Sequence, residues 1–304
     1  MIESPMDVLQ QFPVRKTGKQ KQAFRDAVQS YARTLGYQTD VEKRNIIIGD
    51  PETAGYLITA HYDTPAGWWV PSLLVPFSLP LSILSQILVA AALFLPAVLV
   101  TAVTAYLVPD RAVWYPVLLA MLALTLVLMA AGPASRRSAN GSTSGVVTLL
   151  ETAASMPKNL RGRVCFVLFD GNEPAMTGAC FHRRAHRCAT DMQTVLNLDC
   201  VGEGNTIVFI PDKRVKADDD ILDRLIDLER VCGDKQVLVR DRGFAFLPSG
   251  HTVFPRGIGI CALGGKKDRV IGKVHTFRDV CLDHTNVNIL RACLISFIGS
   301  ARDD

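Results

Sequence analysis

Two long stretches of this sequence lack charge altogether. Residues 65–109 and 112–132 contain no Asp, Glu, Lys or Arg. Each stretch exceeds the roughly 18–20 apolar residues that cross a bilayer, whereas a helix buried in a soluble domain would carry a polar face over such a length. The absence of charge therefore predicts an inserted transmembrane hairpin at 68–133, with spans at about 81–107 and 112–131. It also makes the lipid bilayer an expected partner of the chain.

Other absences concern the N-terminus, cysteine pairs and net charge. Residues 1–40 contain no apolar segment of the kind found in a secretory signal peptide, so we do not expect one. The eight cysteines are irregularly spaced and form no Cys-x-x-Cys pair, which argues against a thiolate zinc site and favours free thiols in a reducing compartment. A net charge of +4, dispersed along the chain, does not favour a nucleic acid partner.

The few charges that flank the uncharged stretches set the expected orientation. Arg136 and Arg137 follow the second stretch, while Asp110 and Arg111 in the turn between the spans cancel each other. Because positive charge is retained on the cytoplasmic side, both chain ends are expected there. The sequence thus predicts an integral membrane protein whose bulk domain lies on the cytoplasmic side of the plasma membrane. A transporter or channel is not favoured, since neither span contains a charged side chain.

Outside the hairpin, β-rich and helical patterns alternate along the chain. The β-rich runs are 45–48, 56–60, 164–169, 194–198, 206–210, 236–239 and 259–263, and the helical patterns are 19–35, 145–155, 218–232 and 287–298. Such alternation is typical of an α/β fold with a largely parallel sheet and helices on both faces. We therefore expect one discontinuous domain, formed by 1–67 and 134–304, which the hairpin interrupts.

Side chains that can bind a metal follow several of these predicted strands. His61 and Asp63 follow the run 56–60, Glu173 follows the next strand, Asp199 ends the motif VLNLD, and His275 lies in KVHTFRD. Sites in α/β folds form beyond the C-terminal ends of strands. Imidazole and carboxylate groups are typical zinc ligands, and an Asp two residues from a ligating His can orient its ring. The sequence therefore predicts a zinc site at this edge of the sheet.

These motifs together resemble the zinc-dependent exopeptidases of clan MH, which include bacterial leucyl aminopeptidase and glutaminyl cyclase. That family's pattern runs His-x-Asp, Asn-Asp-x-x-Ser-Gly, Asp-x-Glu-Glu, Asn-Leu-Asp and His-Thr-x-x-Asp, and this chain carries a version of each in the same order. The resemblance covers essentially the whole chain except the hairpin. It implies a single phosphorylase/hydrolase-like aminopeptidase domain with a mostly parallel mixed sheet.

The resemblance also implies a role for each matching residue. In the family, a bridging Asp holds two zinc ions together. Carried over to this chain, His61 and Asp199 would bind one ion, and Glu173 and His275 would bind the other. Asp63 would lie behind the His61 ring, on the side away from the metal, and orient it. The implied cofactor is zinc, with one or two ions if the site is competent and none if it is not.

Two positions depart from the family pattern. The bridging Asp is replaced by Gly141, and the Glu that acts as general base is replaced by Asn172. Gly141 supplies no ligand, so two dications would repel each other without a carboxylate between them. Asn172 cannot accept a proton near pH 7, and general-base catalysis contributes on the order of 10²–10⁴-fold. Compensation by Asn140, Ser142 or Asp170 stays open at this stage.

Two functions remain open from the sequence. The favoured one is a membrane-anchored aminopeptidase-like protein with impaired or lost hydrolysis that binds a peptide or protein partner. The alternative is an active membrane-tethered metallo-aminopeptidase that hydrolyses N-terminal residues of peptides with a modified site, for which a single metal is one option. In either case His251, in PSGHTVF, is expected on the substrate side, since the family has a histidine there.

Overall fold

A mixed sheet of eight strands forms the centre of the part of the chain that this computed structural model describes. The described residues are 2–67, 73–135, 138–172, 175–230, 234–265, 269–274 and 276–301. The strands are β1 (Thr39–Glu42), β2 (Asn45–Ile48), β3 (Tyr56–His61), β4 (Val164–Phe169), β5 (Thr194–Leu198), β6 (Thr206–Pro211), β7 (Gln236–Val239) and β8 (Gly257–Leu263). Their order across the sheet is β1-β2-β4-β3-β5-β8-β6-β7.

The four central strands, β4-β3-β5-β8, all run parallel to one another. The pairs β1–β2, β2–β4 and β6–β8 are antiparallel, and the edge pair β6–β7 is again parallel. Every residue of β4 and β8 is buried, as expected for strands covered on both faces. The prediction of a mixed α/β fold is therefore confirmed. The C-terminal ends of β3 and β5 meet at one edge of the sheet.

Helices cover both faces of the sheet. They are α1 (Asp7–Gln11), α2 (Gly18–Thr34), α3 (Leu79–Leu107), α4 (Arg111–Ala131), α5 (Ser144–Ser155), α6 (Thr177–Ala185), α7 (Arg187–Thr190), α8 (Lys213–Lys216), α9 (Asp219–Asp227) and α10 (His284–Gly299). Side chains alternate across β2, because successive residues of a strand point to opposite faces. Ile46 and Ile48 pack in a cluster with α2, α5 and α10, whereas Ile47 packs in a separate cluster with Ala179 of α6.

Helices α3 and α4 are the two long apolar helices, and both are long and apolar enough to cross a membrane. Only 17% of the most apolar window of α3, and none of that of α4, is buried inside the structure, in contrast to the core helix of a soluble domain. Ala66 forms an antiparallel bridge with Ala134, and the Gly67 amide donates to the Pro133 carbonyl at 2.8 Å. The two ends of the hairpin therefore lie side by side.

Cysteines in the described part of the chain are all free. Cys165, Cys200, Cys261 and Cys293 are buried, and Cys180, Cys188 and Cys281 are exposed. Cys232 lies outside the described residues. The fold therefore carries free thiols both in its core and on its surface.

Candidate metal centre

The C-terminal ends of β3 and β5 bring three of the predicted site residues together. His61 is the last residue of β3, and its Nε2 lies 3.7 Å from Oδ1 of Asp199, which directly follows β5. On the other side of the ring, Nδ1 lies 3.2 Å from Oδ1 of Asp63. All three side chains are buried. We call His61, Asp63 and Asp199 the candidate metal centre, because one carboxylate orients the ring and the other faces its free edge.

The charges of this centre stabilise one another. Burial lowers the pKa of His61, but the hydrogen bonds and charges of Asp199 and Asp63 outweigh it and raise this pKa well above its usual value. Burial raises the pKa of each carboxyl, but the hydrogen bond and charge of His61 outweigh it and lower both. The imidazolium thus occupies the position between two carboxylates where a cation is electrostatically favoured.

A chain of hydrogen bonds fixes the orientation of Asp199. Its Oδ2 accepts a short hydrogen bond from the Ser249 hydroxyl, and its Oδ1 accepts from the Cys200 thiol at 3.1 Å. Ser249 in turn accepts from Nδ2 of Asn197 at 2.7 Å, and Asn197 accepts from the Thr59 hydroxyl at 2.9 Å. Because Thr59 lies on β3, these hydrogen bonds connect the Asp199 carboxylate at the end of β5 to the neighbouring strand β3.

Gly141 lies next to this centre, within a buried π-helical segment that leads into α5, Ala139–Thr143. The backbone amides of Asn140 and Gly141 donate to the two carboxylate oxygens of Asp279, at 2.6 and 3.0 Å. A Cβ added to Gly141 would lie 3.2 Å from Oδ2 of Asp279 and 3.0 Å from the Ser138 hydroxyl. The position at which the family pattern has a bridging carboxylate therefore faces another carboxylate in this fold.

Asn172 approaches the centre through its backbone. Its amide donates to Oδ1 of Asp63 at 3.1 Å, and Asn172 lines the same cavity as His61, Asp199 and Gly141. The predicted ligands Glu173 and His275 lie outside the described residues, so their roles stay predictions.

The three residues considered as substitutes for the missing carboxylate all have other partners. Oδ1 of Asn140 accepts hydrogen bonds from two backbone amides of the loop after β5, at 2.7 and 3.1 Å. The Ser142 hydroxyl accepts from the Arg15 guanidinium at 3.0 Å, and Asp170 forms a short ion pair with Lys21. Each of these side chains would have to give up a structural contact in order to bind a metal at the centre.

The cavity at this centre has a volume of about 720 Å³ and walls of contrasting chemistry. One end is polar and contains His61, Gly141, Asn172, Asp199 and Cys200. Another wall is the beginning of α3, through Leu79, Ser82, Ile83, Gln86, Ile87 and Ala90. The segment before α3 is held against the domain by a backbone bridge between Leu74 and Ile271. An apolar helix thus forms part of the wall of the candidate site.

His251 lies near the centre but does not line the described cavity. It is buried in a 3₁₀ turn, and its ring packs against Gly259 of β8, where an added Cβ would lie 2.5 Å from the ring. Burial lowers its pKa to about 4, so the ring is neutral at physiological pH. Its substrate-side role stays a prediction.

Sequence reasoning did not single out Asp279, Ser249 or the α3 wall. Asp279 could have been found, because it is the last residue of the His-Thr-x-x-Asp motif. Ser249 precedes His251 by two residues but carries no motif of its own. The contact of α3 with the site depends on the turn geometry before Leu79, which no local pattern encodes.

Comparison with known families and structures gives a consistent result. The model of Peptidase family M28 matches residues 127–293. A Zn-dependent exopeptidase from Parabacteroides distasonis is 15% identical, with 98% of each chain covered and a TM-score of 0.59. Porphyromonas gingivalis glutaminyl cyclase is 18% identical, with 98% of each chain covered and a TM-score of 0.60. A leucine aminopeptidase precursor from Bacteroides thetaiotaomicron is 14% identical, covering 99% of this chain and 97% of that one, at a TM-score of 0.59. A comparison with curated proteins gives no match.

Proposed function

The chain belongs to peptidase family M28, and on that premise we propose that it is a membrane-anchored, zinc-aminopeptidase-like protein with impaired or lost hydrolysis. The observation that carries the proposal is the surroundings of Gly141. No carboxylate extends from this position, and the nearest one, Asp279, accepts hydrogen bonds from the backbone amides of residues 140 and 141. A bridge between two metal ions is therefore missing at the position where the family pattern has one.

The remaining donors fit a single zinc ion. Zn–N and Zn–O bonds of about 2.0–2.2 Å place two ligand atoms roughly 3–4 Å apart, and the His61–Asp199 distance of 3.7 Å falls within this range. Glu173 and His275 would complete the ligand set, as the family pattern implies. A bound zinc would supply a Lewis acid and lower the pKa of a coordinated water. Asp63 would hold the His61 ring in its ligating orientation.

The presence of Asn172 at the general-base position supports the proposal that hydrolysis is much slower than in the family. A general base must take a proton near the operating pH, and a neutral amide cannot do so. Loss of this step alone costs on the order of 10²–10⁴-fold. The alternative, an active tethered aminopeptidase with a single metal, is favoured by one observation, namely the intact His61–Asp63–Asp199 arrangement.

The cavity supports binding of a peptide or protein segment with an apolar end. Its polar end could accept an amino-terminal or amide group, while the α3 wall offers apolar contacts. If α3 and α4 cross the bilayer, this opening lies close to the membrane surface. The positive charges that follow the second helix favour placement of the domain on the cytoplasmic side.

The test uses the full chain purified in detergent. We expect at most one zinc per chain at the candidate metal centre and no turnover of aminoacyl chromogenic substrates above that of Glu173→Ala. Robust turnover that Glu173→Ala abolishes would establish the active alternative. The double variant Gly141→Asp with Asn172→Glu should gain both zinc and activity, and failure to gain either would contradict the assignment of these two positions.

A further inference from the structure

A second cluster of side chains that can bind a metal shares none of the residues of the candidate metal centre. We propose that Glu42, His182 and His186 form a separate site for a divalent metal of the zinc type, with Glu52 orienting His186. Glu42 is the last residue of β1, His182 lies on α6, and His186 directly follows that helix. Their potential ligand atoms all lie within 4.8 Å of one another.

His182 is the observation that points to a ligand. Its side chain is 1% exposed, and neither ring nitrogen has a hydrogen-bond partner within the described residues. Buried polar atoms are nearly always satisfied, so two unpartnered nitrogens on one ring require an explanation. Burial, with a smaller effect of His186, lowers the pKa of His182 to about 3. Its neighbour on one side is the Phe169 ring, which offers no lone pair.

The geometry of the other two side chains suits a metal between them and His182. His186 directly follows α6 and its backbone amide donates to the His182 carbonyl at 3.0 Å, which leaves the two ring centroids 4.6 Å apart. Nε2 of His186 lies 2.8 Å from Oε2 of Glu42. Zinc would hold such atoms roughly 3–4 Å apart. Side-chain shifts of about 1 Å or less would therefore bring all three ligands onto one ion.

Glu52 completes the arrangement from outside. Its Oε1 lies 2.5 Å from Nδ1 of His186, the nitrogen that faces away from Glu42. A carboxylate that binds the second ring nitrogen of a histidine fixes the tautomer and increases its basicity as a ligand. Two imidazoles and one carboxylate are a common zinc ligand set. The fourth position would be open to water, since Glu42 and Glu52 lie toward solvent.

The competing reading is an ion pair without metal. Burial lowers the pKa of His186, but its hydrogen bonds to Glu52 and Glu42 outweigh this and raise it, as expected for an imidazolium between two carboxylates. This reading accounts for His186 and leaves both nitrogens of His182 unexplained. A metal accounts for all three side chains. It would also join the β1–β2 hairpin to α6, the helix that follows the loop of Asn172.

The two readings predict different responses of His182→Leu to zinc. This variant keeps an apolar side chain in a buried position and removes the two unpartnered nitrogens. In chelator, both readings expect its melting temperature to equal or exceed that of the unmodified chain. With zinc, the metal reading expects the unmodified chain to gain thermal stability and His182→Leu to lose the part of that gain that persists in His61→Ala, with zinc affinity at this site reduced at least tenfold.

The experiment uses the full chain in detergent, titrated with zinc alone and, separately, with Co²⁺, whose visible absorption reports tetrahedral nitrogen and oxygen ligation. His284→Gln, which removes an exposed imidazole, is the matched control and should bind like the unmodified chain. His61→Ala removes the candidate metal centre, so the signal that survives in it and disappears in His182→Leu belongs to the new site. If His182→Leu does not fold, Glu42→Gln replaces it. Equal zinc binding and equal thermal shifts in the unmodified chain and in these variants would overturn the proposal.

Discussion

Replacing Gly141 by Asp tests directly whether this position faces the candidate metal centre. The new Cβ would lie 3.2 Å from Oδ2 of Asp279 and 3.0 Å from the Ser138 hydroxyl, so both neighbours must move by a few tenths of an ångström. The backbone at this position requires no left-handed conformation, so an L side chain is not strained there. The main effect is therefore electrostatic, since two carboxylates come together in a buried site.

The magnitude follows from the separation of the two charges. With the new carboxylate about 5 Å from that of Asp279 and an effective dielectric constant of about 20, the repulsion is roughly 3 kcal/mol. Without metal, this repulsion should lower the melting temperature by on the order of 5–10 °C, or raise the pKa of the new carboxyl until it is protonated. A dication bound between the carboxylate, His61 and Asp199 would remove the penalty.

The assay is thermal unfolding of Gly141→Asp in detergent, with chelator and with zinc, together with zinc stoichiometry. Gly141→Ala carries the same steric contacts without charge, and Gly141→Asn has nearly the same shape as Asp. We expect Gly141→Asp to be the least stable of the three in chelator and to gain the most from zinc. If Gly141→Asp and Gly141→Asn behave alike in both conditions, then the position does not face Asp279 and the metal as described.

Four further predictions concern other parts of the molecule. Asp63→Asn should weaken zinc binding at the candidate metal centre by about 10–100-fold in a direct titration, because the carboxylate no longer orients His61. Arg15→Met should destabilise the fold by about 3 kcal/mol in denaturant titrations, since this buried guanidinium donates to two backbone carbonyls and two hydroxyls. In chelator, the free energy of unfolding should fall by about 2 kcal/mol between pH 7 and pH 5 because of His251. The pKa of His251 is lower in the folded state than in the unfolded state, so only the unfolded state takes up a proton in this range. His251→Gln should remove this part of the pH dependence. The exposed thiol of Cys180 should react with a membrane-impermeant reagent only after cells are permeabilised, and labelling of intact cells would place the domain outside.

Much of the sheet could be predicted because its strands are locally distinctive. The apolar runs at 45–48, 164–169, 194–198 and 236–239 coincide with observed strands, since β-branched and apolar residues in short runs require burial. Strand β1 has the sequence TDVE and was not predicted, because a polar strand at a sheet edge has no such pattern. The strand order could not be predicted either. Strand β3 lies between β4 and β5 in the sheet, although long segments of the chain separate it from both, and no local pattern encodes such pairing.

The site was predictable to the extent that its residues follow strands. His61 and Asp199 come together because parallel neighbours end at the same edge. The contact between Gly141 and Asp279 joins residues 138 positions apart, and no local pattern encodes it. For the same reason, the closeness of Glu42 to His182 and His186 could not be read from the sequence, although the spacing of the two histidines was visible.

The two departures from the family pattern are coupled by charge. In the family, two dications are balanced by a bridging carboxylate, the terminal carboxylates and the general base. Here both the bridge and the base are neutral, at Gly141 and Asn172, so two negative charges are missing. A second dication in this buried site would then lack its counter-charges, whereas a single dication leaves the overall balance unchanged. Restoring only one carboxylate should therefore leave an excess negative charge beside Asp63 or Asp279, and each single variant should be less stable in chelator than the unmodified chain. The double variant should be the least stable in chelator and should bind a second zinc at the candidate metal centre, counted in the His182→Leu background. A single variant that binds two zinc ions at the candidate metal centre itself would contradict this coupling.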